Sequence, residues 1–237
     1  MGRSYENRKA SMAKTSDMKA KLYSRYGREI YMSAKSGSTD PTANVQLRGI
    51  IDRAKKDQVP SHVIDNAIKK AQGGTGENFS PAMYEGYGPG NVMVLVECLT
   101  DNPNRTISEV RTCFNKGKGK IGTPGTVAHM FEHLAIFVFD GDEDQVMEIL
   151  LEADVDELDI ETNGDKLNVF AAPSEYAKTK TALVDALGEI DFEVDEIQYF
   201  PQTTVALQGE DQDNFDKLIA LLNDVDDVQN IWHNAEI

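Results

Sequence analysis

Lys21, Arg25, Arg28 and Lys35 recur at offsets of 0, 4, 7 and 14 residues. On an α-helix that spacing lines four cations along one stripe about 21 Å long. A row of this kind can hold phosphates along a nucleic-acid backbone. Arg3, Arg8 and Lys9 lie just upstream and extend the basic segment. Tyr23 and Tyr31 flank the row and are of a type that stacks on unpaired bases. A plain solvated helix face would show the same period, so the functional weight rests on how strongly the charge is clustered.

Other patterns look chemical and fail on context. Gly117-Lys-Gly-Lys-Ile-Gly122 spells GxGxxG, but it follows a helix and precedes a strand, the reverse of a dinucleotide site. His129-Met-Phe-Glu132-His133 spells HxxEH, which binds zinc only on a helix. Here it runs into the apolar stretch LAIFVF, and on a strand the two imidazoles stand about 13 Å apart. Asp140, Asp142 and Asp144 begin like a calcium loop, yet Gln145 stands where glycine is needed and Leu151 where glutamate is needed. Cys98 and Cys113, the only cysteines, sit in apolar surroundings and read as core. No catalytic set, cofactor motif or metal site emerges, and the chain does not read as an enzyme.

The charge balance shows what could meet phosphate. The 237 residues carry 24 Lys+Arg against 40 Asp+Glu, a net −16. Residues 1–75 are at +8, residues 76–132 at −1, residues 133–200 at −16 and residues 201–237 at −7. A basic arm is thus joined to an acidic body, and the two could also neutralise each other. The longest aliphatic or aromatic run, Leu134 to Phe139, is far short of a membrane span, and the N-terminus lacks an apolar leader. A cytoplasmic, soluble protein is expected.

The elements follow from periodicity. A helix is expected from Thr15 or Ser16 to about Lys35, stopping at Gly37. A second should open at Asp40-Pro41 and bury Ala43, Leu47, Ile50, Ile51 and Ala54. A third follows Val59-Pro60, burying Ile64, Ala67 and Ile68. Residues 73–91, rich in Gly and Pro, read as a linker. Beyond it, strands are expected at Val92–Leu99, Val127–Met130, Leu134–Phe139, Leu158–Glu161, Leu167–Ala171, Phe192–Tyr199, Thr203–Leu207 and Val228–Trp232. Helices are expected from a Thr106–Glu109 capping box to Phe114, and over Glu143–Ala153, Ser174–Leu187 and Asp213–Leu222. Residues 133–200 then read β-α-β-β-α-β, and the flanking halves join into a second such unit. The expected class is α+β and multidomain, a three-helix domain followed by two ferredoxin-like domains, the second inserted in the first. Its bounds are 1–75, then 76–132 plus 201–237, with 133–200 inserted.

Five segments carry a family resemblance: GREIYMSAKSGSTDP (27–41), VPSHVIDNAIKKAQGG (59–74), YEGYGPG (84–90), LTDNPNRTISEVRTCF (99–114) and GTPGTVAHMFE (122–132). Together they resemble the YebC/PmpR family of probable transcriptional regulatory proteins, most closely its YeeN-like branch. Two departures stand out: Tyr5 where a tryptophan is common, and Lys116-Gly-Lys-Gly-Lys120 in place of a Lys-Gly-Gly turn. The resemblance implies a three-domain, cofactor-free, DNA-binding protein of the cytoplasm. The alternative that the resemblance implies is a ribosome-associated translation factor or translational activator that relieves stalling, binding ribosomal RNA while its acidic domain faces basic ribosomal proteins. A protein that binds no nucleic acid is the third reading. Arg105, in the TDNPNRT segment, joins the expected nucleic-acid contacts, acting apart from the Lys116–Lys120 turn.

Overall fold

The computed structural model describes residues 16–73, 78–156 and 159–236. Arg3, Arg8 and Lys9 lie outside them. Three helices come first: α1 (Ser16–Ser36), α2 (Val45–Lys56) and α3 (Ser61–Gln72). Their apolar stripes meet at Ile30, Ala34, Leu47, Ile50, Ala54, Ile64 and Ala67, as amphipathic periodicity requires. The second helix opens later than expected, which leaves Ala43 exposed in the turn before it. Asn44 caps it, accepting a bond from Leu47 N at 3.0 Å, whereas Asp40 closes a turn on the Thr42 amide and hydroxyl.

The residues expected to form a linker make a central strand instead. Strand β1 (Ser80–Tyr87) pairs antiparallel with β2 (Met93–Thr100), from Ser80 opposite Thr100 to Tyr87 opposite Met93. Pro81 and Gly86 obscure its alternation. Pro81 falls where β1 has a neighbour on one side only, the place in a sheet that tolerates a missing N–H. Helix α4 (Pro103–Lys116) and the two-residue strand β3 (Lys120–Ile121) follow. Asn102 caps α4 through Arg105 N, so Thr106 is not the cap; its hydroxyl is committed to a buried network described below.

The second sheet lies between the two halves of the first. It comprises β4 (Phe131–Asp140), β5 (Asp159–Asn163), β6 (Lys166–Ala171) and β7 (Val194–Pro201), with helices α5 (Glu143–Glu152) and α6 (Tyr176–Leu187). All pairings are antiparallel in the order β5-β6-β4-β7, which is the ferredoxin-like arrangement. The chain then makes β8 (Val205–Ala206), α7 (Glu210–Asp224), β9 (Val228–His233) and β10 (Ala235–Glu236). The α+β class and the insertion hold.

One strand assignment changes inside that architecture. The first sheet runs β3-β1-β2-β9, so β1 takes the central place expected for residues 203–207. Those residues shrink to β8, paired with β10. Residues 128–130, expected in a strand, form a 3₁₀ turn, because the buried Glu85 carboxylate draws in the amides of Gly125, Val127 and Ala128. Strand β2 is covered on both faces, as its unbroken apolar run requires. Val94, Val96 and Cys98 pack with Phe114, Phe215 and Leu218, while Met93 and Leu95 pack with Phe131 and Trp232. Each large side chain so buried contributes about 1.5–3 kcal/mol.

The helical unit rests on the second sheet's unit at Gly49. A Cβ there would collide with Tyr176 Oη, which donates to Asp195 Oδ1 at 2.6 Å. Arg53 donates to the Asp195 carbonyl, and Lys56 pairs with Asp191 at 2.6 Å. Glycine inside a helix is ordinarily worse than alanine by roughly 0.5–1 kcal/mol. Gly49→Ala should nevertheless lower the thermal midpoint, because the methyl group displaces a buried, hydrogen-bonded tyrosine. A raised midpoint would mean the contact between α2 and α6 is not held in solution.

Candidate nucleic-acid interface

Burial of Ile30, Tyr31 and Ala34 sets the rotation of α1 and turns its cations toward the body. Lys21 pairs with Asp224 at 2.5 Å. Arg25 donates to Asn223 Oδ1 at 3.1 Å. Arg28 donates to the Asp226 carbonyl and lies 3.4 Å from Asp227 Oδ1. These acceptors form the C-terminal end of α7 and the turn after it, where the helix dipole adds negative potential. Lys35 lies beyond this contact, 3.4 Å from Asn78 Oδ1 and above the Tyr31 ring at 5.4 Å. The row is therefore divided: three cations are held by protein oxygens and the fourth projects past them.

Asp227 is where two expected contacts converge. Its carboxylate, 2 % exposed, accepts from Arg105 Nη2 at 2.8 Å, Thr106 Oγ1 at 2.7 Å and Thr100 Oγ1 at 3.1 Å, with Arg28 on its other oxygen. Burial opposes ionisation, but the hydrogen bonds from Arg105, Thr106 and Thr100 and the Arg105 charge outweigh it and hold the carboxyl below its usual range. Arg105 also pairs with Asp101 at 2.8 Å, and both aspartates push its guanidinium pKa up. Sequence reasoning missed Asp227, since DVDDV reads as another acidic turn.

The remaining motifs have structural places. His129 lies in the 3₁₀ turn and His133 in β4, stacked on Tyr199 with centroids 4.1 Å apart. Burial pushes the Cys98 thiol up to about 12, which keeps it protonated. Asp142 caps α5 through Gln145 N at 3.0 Å. A cleft of about 2480 Å³ lies between the helical unit and both sheets; Arg25, Arg53 and Lys56 line it together with Glu97, Glu196 and Glu236. Among the described residues no helix is long and apolar enough to cross a membrane.

This arrangement has known counterparts. The family model described as "TACO1/YebC protein N-terminal domain" matches residues 3–74, and "TACO1/YebC second and third domain" matches residues 79–235. The chain belongs to the TACO1/YebC family. Within this family, a protein of Alcanivorax borkumensis is 64% identical over the whole of both chains. A protein of Chromohalobacter salexigens is 63% identical over 100% of this chain and 99% of its own. Both are named "Probable transcriptional regulatory protein". The TACO1/YebC fold is also similar to the crystal structure of a conserved hypothetical protein from Aquifex aeolicus. That match has a TM-score of 0.75 and 34% identity, covering 94% of this chain and 93% of the other.

Proposed function

We propose that the chain is a cytoplasmic, non-enzymatic regulator of gene expression that binds DNA through the cationic face of α1. The observation that carries this reading is the set of acceptors matched to Lys21, Arg25 and Arg28. A carboxylate, an amide oxygen and a backbone carbonyl stand in a row where phosphate oxygens would stand. The names of the relatives support a role in transcription. Binding exchanges these protein oxygens for phosphates, so the helical unit must part from the end of α7; Lys35, already beyond that contact, adds to the surface, and Arg105 joins it by exchanging Asp101 and Asp227 for phosphate. In this reading the domains are residues 1–75, residues 76–132 with 201–237, and residues 133–200, the acidic third one repelling polyanions.

The test is a salt titration of duplex DNA binding by the full chain. Arg25→Ala with Arg28→Ala should reduce the log–log slope by about two, since each neutralised phosphate contributes about 0.9. Asp224→Asn should act oppositely and tighten binding at low salt, because it frees Lys21. A double variant with the wild-type slope would show that the row serves only to hold the helical unit.

A further inference from the structure

From the last residue of α4 to the first of β3 the chain carries three lysines that no acceptor among the described residues uses. Lys116, Lys118 and Lys120 are exposed, and among the described residues their ammonium groups make no hydrogen bond or ion pair. The contrast is with Lys21, Arg28, Arg53, Lys56 and Arg105, all paired with carboxylates.

Close packing dictates the shape of this turn. A Cβ on Gly117 would lie 2.5 Å from Leu218 Cβ, and one on Gly119 would lie 2.6 Å from the Tyr87 carbonyl. The turn's left-handed residue is neither glycine but Lys118, at φ 59°. Glycine or asparagine takes that conformation far more readily than a long side chain does. A lysine thus stands where backbone geometry alone would select against it.

An aromatic ring completes the surface. Tyr87 is opposite Lys120 in the ladder between β1 and β3, so both side chains stand on one face. Tyr87 is 38% exposed, and its hydroxyl reaches the Thr126 carbonyl at 3.4 Å. That carbonyl belongs to the loop fixed by Glu85. Two acids close to this turn are engaged elsewhere: Glu85 accepts from the amides of residues 125–128 and Asp224 pairs with Lys21. A rigid, exposed ring among free lysines matches single strands, where bases stack and phosphates follow alongside. Duplex DNA offers no free base face to the ring.

We propose that Tyr87, Lys116, Lys118 and Lys120 form a second binding surface, for single-stranded nucleic acid, at the end of the first sheet away from Asp227. This rests on the nucleic-acid reading above and adds a substrate class to it.

The experiment uses the full chain with three labelled probes, oligouridine, oligothymidine and duplex DNA, over a salt series. Lys116→Gln, Lys118→Gly and Lys120→Gln combined should lower the single-strand slope by about two, at about 0.7 per phosphate. The Lys118→Gly change relaxes the left-handed residue, and the thermal midpoint confirms folding. Tyr87→Leu should weaken single-strand binding by about tenfold and leave duplex binding unchanged, while Tyr87→Phe retains it. The two single-strand probes separate RNA from DNA as the preferred source of the same chemistry. A wild-type slope in the triple variant, or equal losses on duplex and single strands for Tyr87→Leu, would overturn the proposal and leave the α1 reading standing. Failure of the wild-type chain to bind any of the three probes would overturn both.

Discussion

Replacing Asp227 by alanine should cost about 3 kcal/mol of stability, the usual consequence of removing one partner from a buried charge network. The change leaves the hydroxyls of Thr100 and Thr106, both fully buried, without their carboxylate acceptor, and leaves Arg28 on the Asp226 carbonyl and Arg105 on Asp101. For a chain of this length the thermal midpoint should fall by roughly 6–12 °C. Asp227→Asn keeps one oxygen acceptor and should cost less. The carboxyl's pKa is depressed in the fold, so its contribution is complete above the unfolded value of about 3.9 and is lost as pH falls through the folded one. Alanine should therefore flatten the acid limb of the stability profile below about pH 4. Because a carboxylate beside Arg28 and Arg105 is removed, the same variant should bind duplex DNA more tightly at low salt. An unchanged midpoint with unchanged affinity would show that Asp227 does not hold α1 against the body.

Glu85→Ala should be comparably damaging, at about 3 kcal/mol, and should disrupt a different place. The side chain is 6 % exposed and accepts from the amides of Gly125 at 2.6 Å, Val127 at 2.8 Å and Ala128 at 2.9 Å. Donors stranded in a buried loop cost about 1–3 kcal/mol each when nothing replaces the acceptor; relaxation of the loop toward water recovers part of that sum. Burial raises this carboxyl's pKa, but the three amides and His129 bring it below the usual glutamate range. Its stabilisation is accordingly present above about pH 4.3 and lost as pH falls further. The variant should also weaken single-strand binding, because the loop that anchors Tyr87 loosens, while α1-mediated duplex binding persists. Urea melts across pH 2–7 and the same oligonucleotide titrations check both statements. Retention of the wild-type acid limb would show that the three amide bonds carry no stability.

Much of this protein is legible from local chemistry. Apolar spacing at Ile30, Leu47, Ile50, Ile64 and Ala67 specifies the three helices, because a stripe every three to four residues has no other way to leave water. The continuous run in β2 announces a strand covered on both faces, and the β-α-β-β-α-β order of residues 133–200 leaves few ways to pair its strands. The spacing of Lys21, Arg25 and Arg28 also places them correctly on one face of α1. What that face meets was decided elsewhere. Asp224, Asp226 and Asp227 lie about two hundred residues away in the chain, and no local pattern distinguishes an aspartate that receives two arginines from one that faces water. Strand β1 was hidden for a similar reason: Pro81, Gly86 and Gly88 are turn formers in isolation. Only pairing with β2 and close approach by Lys120 and Phe114 make the strand the better state for that segment. The free lysines of the Lys116–Lys120 turn show the converse, since their charge is visible in the sequence while their lack of acceptors is not. Side-chain type and period act over a few residues. Desolvation and charge pairing depend on which surfaces the whole chain brings together, and so are settled only by the tertiary structure.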